Sequence, residues 1–155
     1  MWELYDVGRL RREAIRGLTL ALHSPGFYTA LENGYKFCLR INLNGVDSGK
    51  GKHIALFVHA MSGSFDERLQ WPFKGRVTLT LLDQSSQSSA PNHITETFKV
   101  NDEDLLAFRR PTVERNHKGY GYVKFAPITV LSDARYVKDD RTLIRAEFEY
   151  IRQKT

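Results

Sequence analysis

The sequence predicts an all-β domain, an antiparallel β-sandwich of about eight short strands. Nine Phe, seven Tyr and two Trp residues, together with many Val and Thr residues, favour β structure. Several segments alternate apolar and polar residues with the period of two that is typical of strands. Gly, Pro, Ser and Asn separate these segments as turns do. The 155 residues fit a single domain spanning 1–155.

The elements follow one another along the chain. The segments predicted as strands are 2–7, 18–23 with 27–29 as its continuation, 37–43, 54–61, 76–82, 95–100, 118–125 and 142–150. Residues 8–17 are charged, with Leu10, Ala14 and Ile15 at roughly helical spacing, and are predicted as a loop or one helical turn. In 37–43 the odd-numbered apolar residues are expected to face the core, so that Arg40 stands on the outer face.

The stretch 105–125 draws together the strongest functional signals. An apolar group at 105–108 precedes a strand in which Lys118, Tyr120, Tyr122 and Lys124 alternate with other residues and therefore share a face. Val123 and Phe125 are expected on the opposite, buried face. Gly119 and Gly121 leave bare backbone, which favours the close approach of another chain. A peptide-binding surface and a plain solvated strand with two tyrosines at its rim both fit this pattern.

Composition excludes several classes of protein. Hydrophobic residues make up 41% and charged residues 26% of the chain, as in ordinary soluble domains. No apolar run approaches the roughly 20 residues that cross a bilayer, and no hydrophobic signal core begins the chain. The single cysteine, Cys38, excludes an internal disulfide and a cysteine-rich zinc site. A cytoplasmic localisation is expected. The net charge of +5 is spread along the chain, and nucleic-acid binding is not predicted.

No catalytic motif is present, and neither an enzyme activity nor a cofactor is predicted. The five histidines match no zinc-ligand spacing. His59 lies within an apolar strand, where a hydrogen-bonded structural histidine is expected. Asp139 and Asp140 are interpreted as a turn and not as a catalytic pair of carboxylates.

The chain resembles a known family over essentially its whole length. The motifs that carry the resemblance are HSPGFYT at 23–29, GYKFCLRINL at 34–43, IALFVHAMSGSFD at 54–66, WPFKG at 71–75, TLLDQS at 80–85, LLAFRRPTVERNHKGYGYVKF at 105–125 and YVKDDRTLIRAE at 136–147. Together they are similar to the C-terminal MATH (TRAF-C) domain of the tumour-necrosis-factor-receptor-associated factors. Members that bind TNF receptors typically carry a run of serines before Phe-x-Arg-Pro. Here Leu-Leu-Ala precedes it, which resembles the sixth type of the family.

The resemblance implies a fold, a function and a set of site residues. The family fold is an eight-stranded antiparallel sandwich, and its ligands are Pro-x-Glu-x-x-(aromatic or acidic) peptides. Such peptides occur in the tails of TNF-receptor-type receptors and in adaptors of the interleukin-1/Toll-type pathways. The glutamate of the peptide would be bound by the backbone of Leu106 and Ala107 and by Lys118. The proline would be bound by Tyr120, Tyr122 and Phe98, and the terminal aromatic or acidic residue would contact Arg40. The peptide backbone would pair with the strand through Gly119 and Gly121.

The chain departs from the family pattern around the proline. Tyr120 stands where the family has Phe, and either Phe98 or Val100 takes the place of a family methionine. The resemblance also implies a parent protein that is a ubiquitin ligase through RING segments and trimeric through a coiled coil, neither of which is in this sequence. Membrane insertion is not expected. Two other functions remain open: a MATH substrate selector of a cullin-type ligase, and a carbohydrate-binding or hydrolytic sandwich. The Leu-Leu-Ala-Phe-x-Arg-Pro block disfavours the first.

Overall fold

Two antiparallel sheets form a β-sandwich in the computed structural model, which describes residues 1–85 and 90–150. The elements are β1 (Trp2–Leu4), α1 (Val7–Ile15), β2 (Leu22–His23), β3 (Phe27–Tyr28), β4 (Lys36–Asn42), β5 (His53–Met61), β6 (Gly75–Leu81), β7 (Ile94–Val100), β8 (Tyr120–Pro127) and β9 (Thr142–Tyr150). The predicted all-β antiparallel sandwich is confirmed.

The strand order makes β7 the last strand of the first sheet and β8 the last strand of the second. The first sheet runs β1-β9-β6-β7 and the second runs β2-β4-β5-β8, with β3 also paired to β4. The Ser24–Gly26 break separates β2 from β3, and both pair with β4, at His23↔Arg40 and Phe27↔Phe37. The two short strands therefore correspond to one interrupted strand of the eight predicted.

The core lies between the sheets and follows the predicted alternation. Phe37, Leu39 and Ile41 on β4 are at most 2% exposed. Phe37 stacks on Phe148 of the facing sheet, with 4.6 Å between ring centroids and 13° between ring planes. Arg40, between the buried residues of β4, points to the outer face as expected. Truncating a buried ring of this kind typically costs about 3–5 kcal/mol.

Residues 7–15 form a nine-residue helix, so the prediction of a loop or single turn was wrong. The first two amides of α1 are satisfied from the far end of the chain. Val7 N donates to the Asp140 carbonyl at 3.1 Å and Gly8 N donates to Asp140 Oδ1 at 2.8 Å. Val7 and Ala14 are buried against the sandwich. Tertiary packing stabilises this short helix, since a helix of this length is marginal alone.

The faces of β8 also differ from the prediction. Tyr120 pairs with Val58 and Tyr122 with Leu56, both core residues of β5, so the tyrosines point toward the sandwich interior. A bulge then intervenes. β5 advances two residues, from Ile54 to Leu56, while β8 spans four, from Ala126 to Tyr122. Phe125 consequently contacts the core on the same side as Tyr122, as strict alternation does not allow.

Within residues 1–85 and 90–150, no helix is long and apolar enough to cross a membrane. The same part of the chain contains no cluster of three or more His, Cys, Asp or Glu residues that could hold a metal ion.

Candidate functional site

An aromatic cluster of Phe98, Phe108, Tyr120 and Tyr122 lies where the edge strands β7 and β8 face each other. Phe98 on β7 lies 4.9 Å from Tyr120 and 6.0 Å from Tyr122, measured between ring centroids. Phe108 is fully buried and packs on the core side of this group, with 5.8 Å between its ring centroid and that of Tyr120. Tyr120 is 37% exposed. The cluster therefore offers ring surface to solvent at the open side of the sandwich.

The two glycines of this strand have a packing role within the fold. A Cβ atom at Gly121 would lie 2.1 Å from the Leu56 carbonyl oxygen, and one at Gly119 would lie 2.4 Å from His59 Nε2. At both glycines, the side on which a Cβ atom would stand is therefore packed against β5. The prediction attached these glycines to an incoming peptide, whereas the structure gives them contacts with the neighbouring strand. The other edge of β8 pairs with no strand in the described part of the chain.

A short 3₁₀ turn, Leu106–Phe108, presents backbone amides beside the aromatic cluster. Among the described residues, the amides of Leu106 and Ala107 donate to no protein acceptor. Phe108 fixes the turn, since its carbonyl accepts a bond from Phe73 N at 2.9 Å. Two free amides on a fixed turn suit an anionic group.

Lys118 is exposed and lies two residues before Tyr120. The segment that carries it extends the line of β8 along β5. Ser62 N donates to the Glu114 carbonyl at 3.0 Å, and Asn116 N donates to the Ala60 carbonyl at 2.9 Å. The position of Lys118 is therefore held by backbone pairing on its N-terminal side.

Arg40 lies on the opposite face of the second sheet from the aromatic cluster. Its guanidinium carbon is 4.1 Å from the centroid of the Phe57 ring, and Phe57 in turn pairs with Gly121. Burial and the neighbouring Arg115 lower the pKa of the Arg40 guanidinium. The half-buried Arg40 side chain is thus held in one orientation against the Phe57 ring.

His59 is a hydrogen-bonded structural histidine, as predicted. Its Nδ1 lies 2.9 Å from the Asn116 carbonyl oxygen, and the residue is 2% exposed. Sequence reasoning missed three contributors to the site, Phe57, Phe108 and Asn116. Phe108 belongs to the apolar group at 105–108, which was a usable signal. Nothing in the periodicity marks Asn116.

The structure brings most of the proposed residues together. The Phe98 ring contacts those of Tyr120 and Tyr122. Phe108, which directly follows Leu106 and Ala107 in the chain, contacts Phe98 and Tyr120. Arg40 belongs to a separate surface on the other face of the sheet. The arrangement is suited to binding an extended chain that contacts both faces of β8.

Comparison with known proteins identifies the family. The model of the TRAF/meprin MATH domain matches residues 19–145. TNF receptor-associated factor 6 of Homo sapiens is 40% identical over 148 residues, which are 95% of this chain and 28% of that protein. TNF receptor-associated factor 5 of Mus musculus is 42% identical over 147 residues, 94% of this chain and 25% of that protein.

A solved structure agrees with these sequence matches. The structure of Notothenia coriiceps TRAF5 superposes with a TM-score of 0.87 at 34% identity and covers 99% of this chain and 74% of that one. The chain spans about a quarter of the length of the curated relatives it matches. By sequence and by structure, the chain belongs to the TRAF/meprin MATH-domain family.

Proposed function

We propose that this domain is the peptide-recognition module of a signalling adaptor and binds Pro-x-Glu-x-x-(aromatic or acidic) segments along the free edge of β8. The observation that carries the proposal is the coincidence of three features at one edge. In the described part of the chain these are a strand edge with no partner strand, a partly exposed aromatic cluster and two amides without acceptors. An extended peptide can add to such an edge as a further strand.

The spacing of the motif fits the two faces of β8. Proline and glutamate are two residues apart, so in an extended peptide their side chains share one face. The aromatic or acidic residue comes three positions after glutamate and points to the other face. Tyr120 and Tyr122 lie on the inner face and Arg40 on the outer face. Proline on the tyrosines and the last residue toward Arg40 are therefore compatible with one extended backbone.

The glutamate carboxylate is assigned to the amides of Leu106 and Ala107 and to Lys118. These amides stay with the backbone whatever side chains the turn carries. A hydrogen bond to a charged group contributes about 1.5–3 kcal/mol, and an exposed cation–π contact about 0.5–1 kcal/mol. After the cost of association, such a set of contacts predicts micromolar affinity.

The partners we propose follow from the family. The relatives are named as TNF receptor-associated factors, and we assign to this chain the cytoplasmic tails of TNF-receptor-type receptors and the adaptors of interleukin-1/Toll-type pathways. The ubiquitin-ligase activity and trimeric assembly of a longer parent are part of the same proposal. A trimer suits weak single sites, because linked copies gain avidity.

Isothermal titration with three peptides tests the function. A Pro-x-Glu-x-x-Phe peptide should bind, its Glu→Ala version should lose most of its affinity, and its Pro→Ala version should bind more weakly than the parent. A scrambled peptide of the same composition is the control. If all four peptides behave alike, the edge of β8 does not recognise this motif.

A further inference from the structure

His59 occupies an unusual position for a polar residue. It lies on β5 with its side chain on the outer face, directly opposite Cys38 of β4, and only 2% of its surface is exposed. Its ring meets that of His23 edge to face, with centroids 5.9 Å apart. A Cβ atom at Gly119 would collide with Nε2, so the imidazole and the strand that leads into β8 are in close contact.

The hydrogen bond of His59 fixes its tautomer. Nδ1 faces the Asn116 carbonyl oxygen at 2.9 Å, and a carbonyl only accepts, so Nδ1 carries the proton. Nε2 is buried and has no hydrogen-bond partner in the described part of the chain. The groups around the ring are His23, Cys38, Arg40, Arg115 and His117, none of which is acidic. Burial lowers the pKa of His59, the hydrogen bond to Asn116 opposes this shift, and Arg40, Arg115 and His117 lower the pKa further, so the net effect favours the neutral ring.

Asn116 extends the contact to the other half of the site. Its side-chain amide donates to the Ala107 carbonyl at 3.4 Å and to the Arg109 carbonyl at 3.2 Å. Its backbone amide bonds to Ala60 of β5. One residue therefore connects β5, the ring of His59 and the 3₁₀ turn that presents the free amides.

We propose that His59 and Asn116 together form a positioning pair that holds the Leu106–Ala107 amides at the place where they meet the peptide glutamate. His59 orients the Asn116 backbone, and the Asn116 side chain orients the turn. Neither residue touches the peptide itself. This inference rests on the proposed function, because it specifies how that site selects an anionic side chain.

Two variants separate positioning from general stability. Asn116→Ala removes both bonds to the turn but keeps the backbone bond to His59. It should weaken binding of the Glu peptide about five- to ten-fold, in the range typical of coupled neighbours. It should leave the weak binding of the Glu→Ala peptide unchanged, since that peptide makes no use of the amides. A fold that merely loosens would weaken both peptides equally.

His59→Asn and His59→Leu form a conservative pair. The Asn side-chain amide can donate where Nδ1 stands, whereas Leu fills the space without a donor. The Asn variant should retain most of the discrimination between the Glu and Glu→Ala peptides, and the Leu variant should lose it. Thermal unfolding of each variant shows that the peptide was titrated against folded protein. Should the Leu variant fail to fold, Asn116→Ala and His59→Asn still decide the question.

The outcomes of this experiment are distinguishable. If the wild type binds the Glu and Glu→Ala peptides equally, the proposed function fails, and the positioning role fails with it. If the wild type discriminates but Asn116→Ala weakens both peptides by the same factor, the peptide site stands and the positioning role is refuted. If Asn116→Ala loses affinity only for the Glu peptide, and His59→Asn still discriminates between the two peptides, the positioning pair is supported.

Discussion

Arg40 and Phe57 form a cation–π pair across two neighbouring strands, with 4.1 Å between the guanidinium carbon and the ring centroid. Phe57 pairs with Gly121, so the arginine lies two strands from the free edge of β8. A peptide strand added to that edge lies three strand spacings from β4, about 14 Å, a distance that Arg40 and a long peptide side chain must bridge together.

Arg40→Ala tests this outer surface. We expect the domain to remain folded and the affinity for a Pro-x-Glu-x-x-Phe peptide to fall about five-fold, or about 1 kcal/mol. Arg40→Lys keeps the charge but loses the planar stack, and it should rank between wild type and alanine. Isothermal titration gives the affinities and thermal unfolding checks the fold. Unchanged affinity in the alanine variant would remove Arg40 from the site.

Lys118→Ala tests the glutamate-binding side. The lysine is exposed, and the amides of Leu106 and Ala107 survive its removal, so binding should weaken by about 1–2 kcal/mol at low salt. The deficit should shrink as ionic strength rises, because salt screens an exposed charge. Lys124→Ala, another exposed lysine, which lies within the bulge of β8, is the matched control. If the two substitutions weaken binding equally, Lys118 acts only through the net charge of the domain and does not contact the glutamate.

Gly121→Ala tests the close approach of β8 to β5. The added Cβ would lie 2.1 Å from the Leu56 carbonyl oxygen, a backbone atom that cannot move away without breaking the strand pairing. We expect the midpoint of urea unfolding to fall clearly. Gly8→Ala in α1 is the control, because its Cβ meets only side-chain atoms, the nearest at 3.3 Å. A wild-type midpoint for Gly121→Ala would contradict the packing described here.

The contacting pair of His23 and the buried His59 predicts a loss of stability in acid. Desolvation, then Arg115 and His59, lower the pKa of His23 from its ordinary 6.5 to about 4, and burial lowers that of His59. The unfolded chain binds protons at these positions below pH 6.5, while the folded chain resists protonation. The free energy of unfolding should therefore be highest above pH 6.5 and decline as the pH falls toward 4.

Urea titrations between pH 7 and 4 measure this decline. His23→Asn and His59→Asn should each flatten it, since asparagine does not ionise. Asp83 provides an internal contrast. Hydrogen bonds from Ser85 and Asn92 lower the pKa of its carboxyl from 3.8 to about 2, so its contribution is lost only below the histidine range. A slope that stays the same in both histidine variants would assign the acid loss to other groups.

Sequence patterns alone predict the β-sandwich, the core face of β4 and the outward direction of Arg40. These features follow from a period-two alternation that is local to each strand. The resemblance to the family supplied Phe98, Tyr120 and Tyr122 as site residues, and the structure places their rings in contact.

The direction in which β8 faces and the start of α1 depend instead on tertiary contacts. Alternation assigned Phe125 and the tyrosines to opposite faces, but the bulge opposite Ile54 and Leu56 brings Phe125 and Tyr122 to the same core. Asp140 supplies the first hydrogen bonds of α1 from 132 residues away. Likewise, His59 meets Asn116 across 57 residues of sequence. Contacts of this kind depend on register and packing between distant segments, and no local pattern of residue types encodes them.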